Sequence, residues 1–139
     1  MPEPFILKQR YLHLMPVEKV LWERWMSQFR DAWSGYEYDV HVGEGMDYGG
    51  AEAPWVQDLV RLLTQKRIDV IAYRQGVPWI FEVKPGAAVS AYGQLLGYRE
   101  LYRRQFRYEG PIELAVVTDF LGPDDRFLFE GAGIHIFLV

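Results

Sequence analysis

With 139 residues, half of them apolar and 16% aromatic, the chain has material for one packed core, too little for two, and too much to be a disordered tail. It has no cysteine, which excludes disulfides and thiolate metal sites and fits a cytoplasmic protein; its three histidines, His13, His41 and His135, stand at no zinc-ligand spacing. A formal charge of −4 argues against a protein whose main task is coating nucleic acid, but leaves room for an enzyme that touches a few phosphates locally.

The start, Met1-Pro2-Glu3-Pro4, lacks the charged region and cleavage site of a secretory signal, and no apolar run approaches bilayer length, so no membrane partner is expected. Residues 16 to 33 predict a helix opened by Pro16, with Leu21, Trp22, Trp25, Phe29 and Trp33 on one apolar arc. Residues 36 to 42 alternate loosely and predict a strand. The glycine-rich stretch 43 to 50 lacks the Lys-Ser/Thr ending of a phosphate-binding loop and reads as a mobile connection. A shorter amphipathic helix is expected over 54 to 65, opened by Pro54. Two strands follow, 67 to 74 and 77 to 84, joined at Gln75-Gly76 by the spacing of a tight hairpin. Residues 89 to 107 form the strongest helical pattern, with Leu95, Tyr98, Leu101, Tyr102 and Phe106 as its apolar residues. A buried strand is expected at 112 to 118, a Gly-Pro-Asp-Asp turn at 122 to 125 and a last strand at 134 to 139. No repeat, linker or low-complexity segment interrupts residues 1–139, so one α/β domain around a mixed sheet is expected.

Chemistry concentrates in the hairpin. If the chain turns at Gln75-Gly76, cross-strand partners have numbers summing to 151, and Asp69 lies opposite Glu82 with β-carbons roughly 5 Å apart. Lys84 lies two residues beyond Glu82 and so shares its face, while Ile68, Val70, Phe81 and Val83 are expected to point the other way into core. Opposed carboxylates repel unless neutralised, and without thiolates or paired histidines the fitting ion is a hard divalent cation on oxygen ligands. The plainer alternative is a polar face on which Lys84 pairs with either acid, and a two-residue register slip would keep the shared face without direct opposition. Glu18 projects to the centre of the first helix's apolar arc. It is there either for a metal-side role or because an acid in the first turn complements the helix dipole.

Asp69, then Glu82-Val83-Lys84, on consecutive strands followed by a helix, resembles the PD-(D/E)XK nuclease superfamily. Gln94 and Tyr98 in that helix resemble the Gln-x-x-x-Tyr motif of its RecB-type branch, and at a spacing of four they share a helix face. Ile68 stands where the name motif has proline. The resemblance spans residues 16 to 118. It implies a restriction-endonuclease-like α-β-β-β-α-β core, Mg²⁺ or Mn²⁺ as cofactor, and catalytic roles for Asp69, Glu82, Lys84, Gln94 and Tyr98. Glu18 would correspond to the family's first-helix glutamate, giving Glu18, Asp69 and Glu82 as metal ligands. The partner implied is DNA.

Arg99, Arg103 and Arg107, with Arg104 beside them, form a basic stripe that would hold phosphates, or else a solvated face whose last-turn cations favour the dipole. Tyr48 and Tyr92 are further candidates, for stacking on bases. The function expected is Mg²⁺-dependent hydrolysis of DNA phosphodiesters, by a phage or mobile-element enzyme or a subunit of a larger DNA-processing complex. The rival is a non-catalytic DNA-binding or assembly module on the same fold. An apolar last strand left at a sheet edge would be a hazard, so a homodimer covering it is expected.

Overall fold

Pro16 occupies the first turn of α1 (Pro16–Phe29), where its missing N–H costs no hydrogen bond, and the Met15 N–H is taken by Glu18 Oε1 at 3.1 Å. The computed structural model describes residues 14–46 and 53–139. Leu21, Trp22, Trp25 and Met26 form the buried stripe of α1. The helix stops short of the expected residue 33: Arg30–Ala32 tightens into a 3₁₀ turn and Trp33 is extended, its ring edge-on to Trp79 at 4.9 Å. Packing against the sheet ends the helical pattern there.

β1 (Gly35–Val42) leads into the glycine-rich stretch, whose described part is pinned rather than mobile. The Gly43 N–H donates to Gln105 Oε1 at 2.9 Å and the Met46 N–H to Thr64 Oγ1 at 2.6 Å. Gly45, at φ 72°, passes so close to α2 that a Cβ would sit 2.4 Å from the Arg61 carbonyl oxygen. The rest of that stretch, with Tyr48, lies outside the described residues.

After α2 (Pro54–Thr64), β2 (Lys66–Arg74) and β3 (Val77–Val83) form the expected hairpin. Gln75 and Gly76 both have positive φ, 52° and 78°, the pattern of a type I′ turn, and the pairs run from Arg74↔Val77 to Val70↔Phe81 in the expected register. α3 (Val89–Phe106) crosses over to β4 (Glu113–Thr118), parallel to β3.

Gly-Pro-Asp-Asp at 122 to 125 is not a turn. It opens a further helix, α4 (Pro123–Gly131), with Pro123 in the first turn beside Asp124 and Asp125. Proline's fixed φ and the acids' attraction to the dipole suit a helix start as well as a turn, and the burial of Phe129 decides for the helix. β5 (His135–Leu138) then pairs in parallel with β4.

The sheet order is β1-β2-β3-β4-β5, antiparallel through β3 and parallel beyond. The fold is therefore the expected mixed α/β class: an α-β-β-β-α-β core with α2 inserted after β1 and α4-β5 added at the end. One face packs on α1 through Trp22, Trp25, Tyr36, Val70 and Phe81; Trp22 and Trp25 are stacked at 4.6 Å. The other packs on α3 and α4 through Val42, Ile68, Ile80, Leu95 and Phe129.

Strict alternation fails at one place. Tyr36 and Tyr38 face α1 but Val40 and Val42 face α3; opposite them, Val70 and Ala72 face α1 but Ile68 faces α3. Ile68 and Val70 thus lie on opposite faces, contrary to expectation. The exchange occurs at Asp39, whose φ of 56° is left-handed, and at Asp69 across from it, between the pairs Tyr38↔Val70 and Val40↔Ile68. Both strands swap faces together, so the core closes and Asp69 is left at the crossing. Among the described residues no helix is long and apolar enough to cross a membrane.

Candidate functional site

One step past the last β2–β3 pair, the Asp69 carboxylate does what a backbone carbonyl would do further along the ladder: its Oδ2 accepts the Val83 N–H at 2.9 Å. Phe81 and Val83 face α1, so Glu82 between them faces α3, and it is only 4% exposed. The two carboxyl groups are close enough that each influences the other's ionisation. Burial above all, then the charge of Asp69, pushes Glu82 up to about 9. Burial also raises Asp69, to about 6, against the pull of the Val83 N–H. Glu82 Oε1 is buried with no hydrogen-bond partner. An orphaned carboxylate oxygen in a dry site is costly and calls for a cation or a proton.

Lys84 follows the end of β3, with its N–H on the Val117 carbonyl at 3.0 Å, and its charge favours ionisation of both acids. The charge of Glu18 acts the other way, raising both, while the Glu18 carboxylate is bonded to the Met15 N–H. The bond to the Met15 N–H accounts for Glu18 as a first-turn acid. No group of three His, Asp or Glu side chains close enough to hold an ion occurs among the described residues, which leaves Asp69 and Glu82 as a two-carboxylate pair. Such a pair with an unfilled oxygen suits Mg²⁺, which binds through one or two carboxylates and keeps several waters.

Tyr98 reaches the pair from α3. Burial raises its hydroxyl pKa, and the charges of Glu82 and Asp69 raise it further; Gln94 Nε2 donates to that hydroxyl at 3.4 Å. The arginines lie elsewhere. Arg99 and Arg103 are each five residues beyond Gln94 and Tyr98, which places them about 140° further round the helix. Arg99 pairs with Glu100 at 3.1 Å, Arg103 donates to the Gly110 carbonyl at 2.7 Å, and Arg107 caps α3 in a left-handed conformation. Tyr92 is half-buried against Phe129, ring centroids 5.9 Å apart, and is not presented for base stacking. His41 lies 3.6 Å from Asp39 and His135 3.3 Å from Glu113. His13 is outside the described residues.

Thr118 and Asp119 belong to the site's frame and had no part in the sequence reading. Buried Thr118 Oγ1 accepts the Ala87 N–H at 3.0 Å and Asp119 Oδ1 the Gly86 N–H at 2.8 Å, which fixes the turn leaving Lys84. The one visible signal is a polar residue ending the apolar run Leu114–Val117, a pattern shared by many strand ends.

The fold is of the α/β class, a five-stranded mixed sheet flanked by helices, with the acid pair at the end of its β2–β3 hairpin. Among solved structures, the EndoMS–dsDNA2 complex matches with a TM-score of 0.52 over 95% of this chain at 15% identity. The chain spans about half, 48%, of the matched chain, and at this identity the likeness is one of fold. No family model and no curated protein matches the sequence.

Proposed function

We propose that the chain is a divalent-metal-dependent nuclease hydrolysing phosphodiester bonds in DNA. The observation that carries this is the pairing of half-buried Asp69 with buried Glu82, with the orphaned Glu82 Oε1 and with Lys84 beside it. The likeness in fold to a protein solved with dsDNA supports the substrate class. Asp69 and Glu82 would hold Mg²⁺ or Mn²⁺, and Glu18 would act on that ion through its charge. When bound, such an ion polarises the phosphodiester and makes nearby water more acidic. Lys84 would orient the attacking water and neutralise charge gathering on the phosphoryl oxygens as the P–O bond to the leaving sugar oxygen breaks. Gln94 and Tyr98 would hold the scissile phosphate group against the acids. The burial of Tyr98 and Glu82 excludes bulk water and strengthens these interactions.

The test is thermal melting in Mg²⁺ and Mn²⁺, alongside cleavage assays on linear, nicked, branched and single-stranded DNA. At a metal concentration about a hundred times Kd, the protein gains about 2.7 kcal/mol, and Asp69→Ala and Glu82→Ala abolish the gain. A metal-insensitive melt together with no cleavage of any substrate refutes the enzyme reading and leaves a non-catalytic DNA-binding or assembly module on this fold.

A further inference from the structure

α3 carries two glycines in its interior, Gly93 and Gly97, one turn apart. Mid-helix glycine destabilises a helix relative to alanine, and such residues are usually explained by a close neighbour. Neither has one: a Cβ built at either position meets nothing within 4 Å. They face instead a cleft of about 280 Å³ lined by Lys66, Gly93, Gln94, Gly97, Tyr98 and Leu101. A second cleft, of about 270 Å³, shares Lys66 and Leu101 and continues to Gly43–Met46, where Glu44 lines its far end. The two clefts meet at Lys66 and Leu101, and we read them as one groove. Its head is Tyr98, the residue whose hydroxyl feels the charge of Glu82, and the unpartnered Glu82 Oε1 is more than nine-tenths buried beside it. Lys66, the cation common to both clefts, is exposed and makes no ion pair among the described residues.

We propose that this groove along α3 seats the sugar-phosphate backbone of one DNA strand, with Lys66 on a phosphate and the Gly93–Gly97 flank giving the strand room to approach the helix. The proposal rests on the nuclease reading and names the path by which the strand reaches the acid pair. A single strand fits the groove's features: one cation, the Tyr98 ring, the Gln94 amide, and no acid in the cleft next to the site. The arginine stripe, about 140° round the helix, would then not be the strand's main contact.

The experiment uses the full chain, wild type and the variants Gly97→Phe, Gly97→Ala and Lys66→Gln. The readouts are anisotropy of a labelled single-stranded oligonucleotide in EDTA over about 50 to 200 mM salt, and the Mn²⁺-induced shift in Tm. Gly97→Ala should raise Tm, because its methyl group meets open space. Gly97→Phe should fill the groove and weaken oligonucleotide binding at least tenfold, with the Mn²⁺ shift retained. Lys66→Gln should lower the slope of log affinity against log salt by about 0.7, the loss of one single-strand phosphate contact. Affinity and slope unchanged in both Gly97→Phe and Lys66→Gln overturn the groove and leave the metal site standing, as does a wild type that binds duplex alone. A wild type that binds no oligonucleotide also overturns the groove. Binding weakened as expected, in a protein with no Mn²⁺ shift and no cleavage, supports the groove while the nuclease reading fails.

Discussion

Glu82 links protonation to stability and, on the proposed function, to metal binding. Its folded-state pKa and that of Asp69 lie above their ordinary values, so the folded protein holds protons more tightly than the unfolded chain. The resulting stability is complete below the ordinary carboxylate range and is lost as pH rises through about 6 for Asp69 and about 9 for Glu82. In EDTA the Tm should therefore fall from about pH 5 to pH 9, and Glu82→Gln should remove most of that slope. With Mg²⁺ bound as proposed, the trend should oppose this, since an ion held by the acids competes with their protons and binds better as pH rises. A metal-free melt that is flat over this range would contradict the buried pair. Lys84 gives a second test at this scale. If the proposed function holds, Lys84→Met should lower kcat on DNA by about a hundredfold or more while the Mn²⁺ shift survives, because the ammonium would act on charge developing in the reaction.

At the scale of elements, the hairpin was legible because its turn chemistry and its alternation agree. Gln75 and Gly76 set a two-residue turn, and everything from Arg74↔Val77 to Val70↔Phe81 follows. Gly76 sits at φ 78°, so Gly76→Ala should cost about 1–2 kcal/mol in urea melts without changing the Mn²⁺-binding stoichiometry. α4 was not legible, since Gly-Pro-Asp-Asp serves equally to make a turn or to start a helix, and the choice is made by Phe129 burying against α3. The face exchange at Asp39 and Asp69 was equally hidden: period-2 reading assumes an unbroken pleat, and a left-handed aspartate breaks it. α1 carries its load through aromatic packing. Trp25→Ala, which empties a fully buried site between Phe81 and Phe137, should cost about 3–5 kcal/mol in chemical denaturation.

For the whole molecule, the order β1-β2-β3-β4-β5 leaves β1 and β5 as the sheet's edges. On β5, Phe137 is drawn inward against Trp25 and Phe29, while Leu138 is 48% exposed. An edge with that residue on it is a template for another strand. We expect light scattering to give a dimer at micromolar concentration that Leu138→Lys converts to monomer; a strictly monomeric wild type would count against edge pairing.

The sequence by itself determined the chemistry available, the hairpin register and the helix that follows it. Carboxylates without thiolates limit the metals, and a two-residue turn fixes which residues oppose each other. Only the tertiary structure decided that Glu82 is buried and that burial raises both acids, because burial depends on α1 and α3 closing over the sheet from opposite faces. It also decided that Thr118 and Asp119 hold the turn after Lys84. Those facts depend on where separate elements meet, and no spacing within one element encodes them.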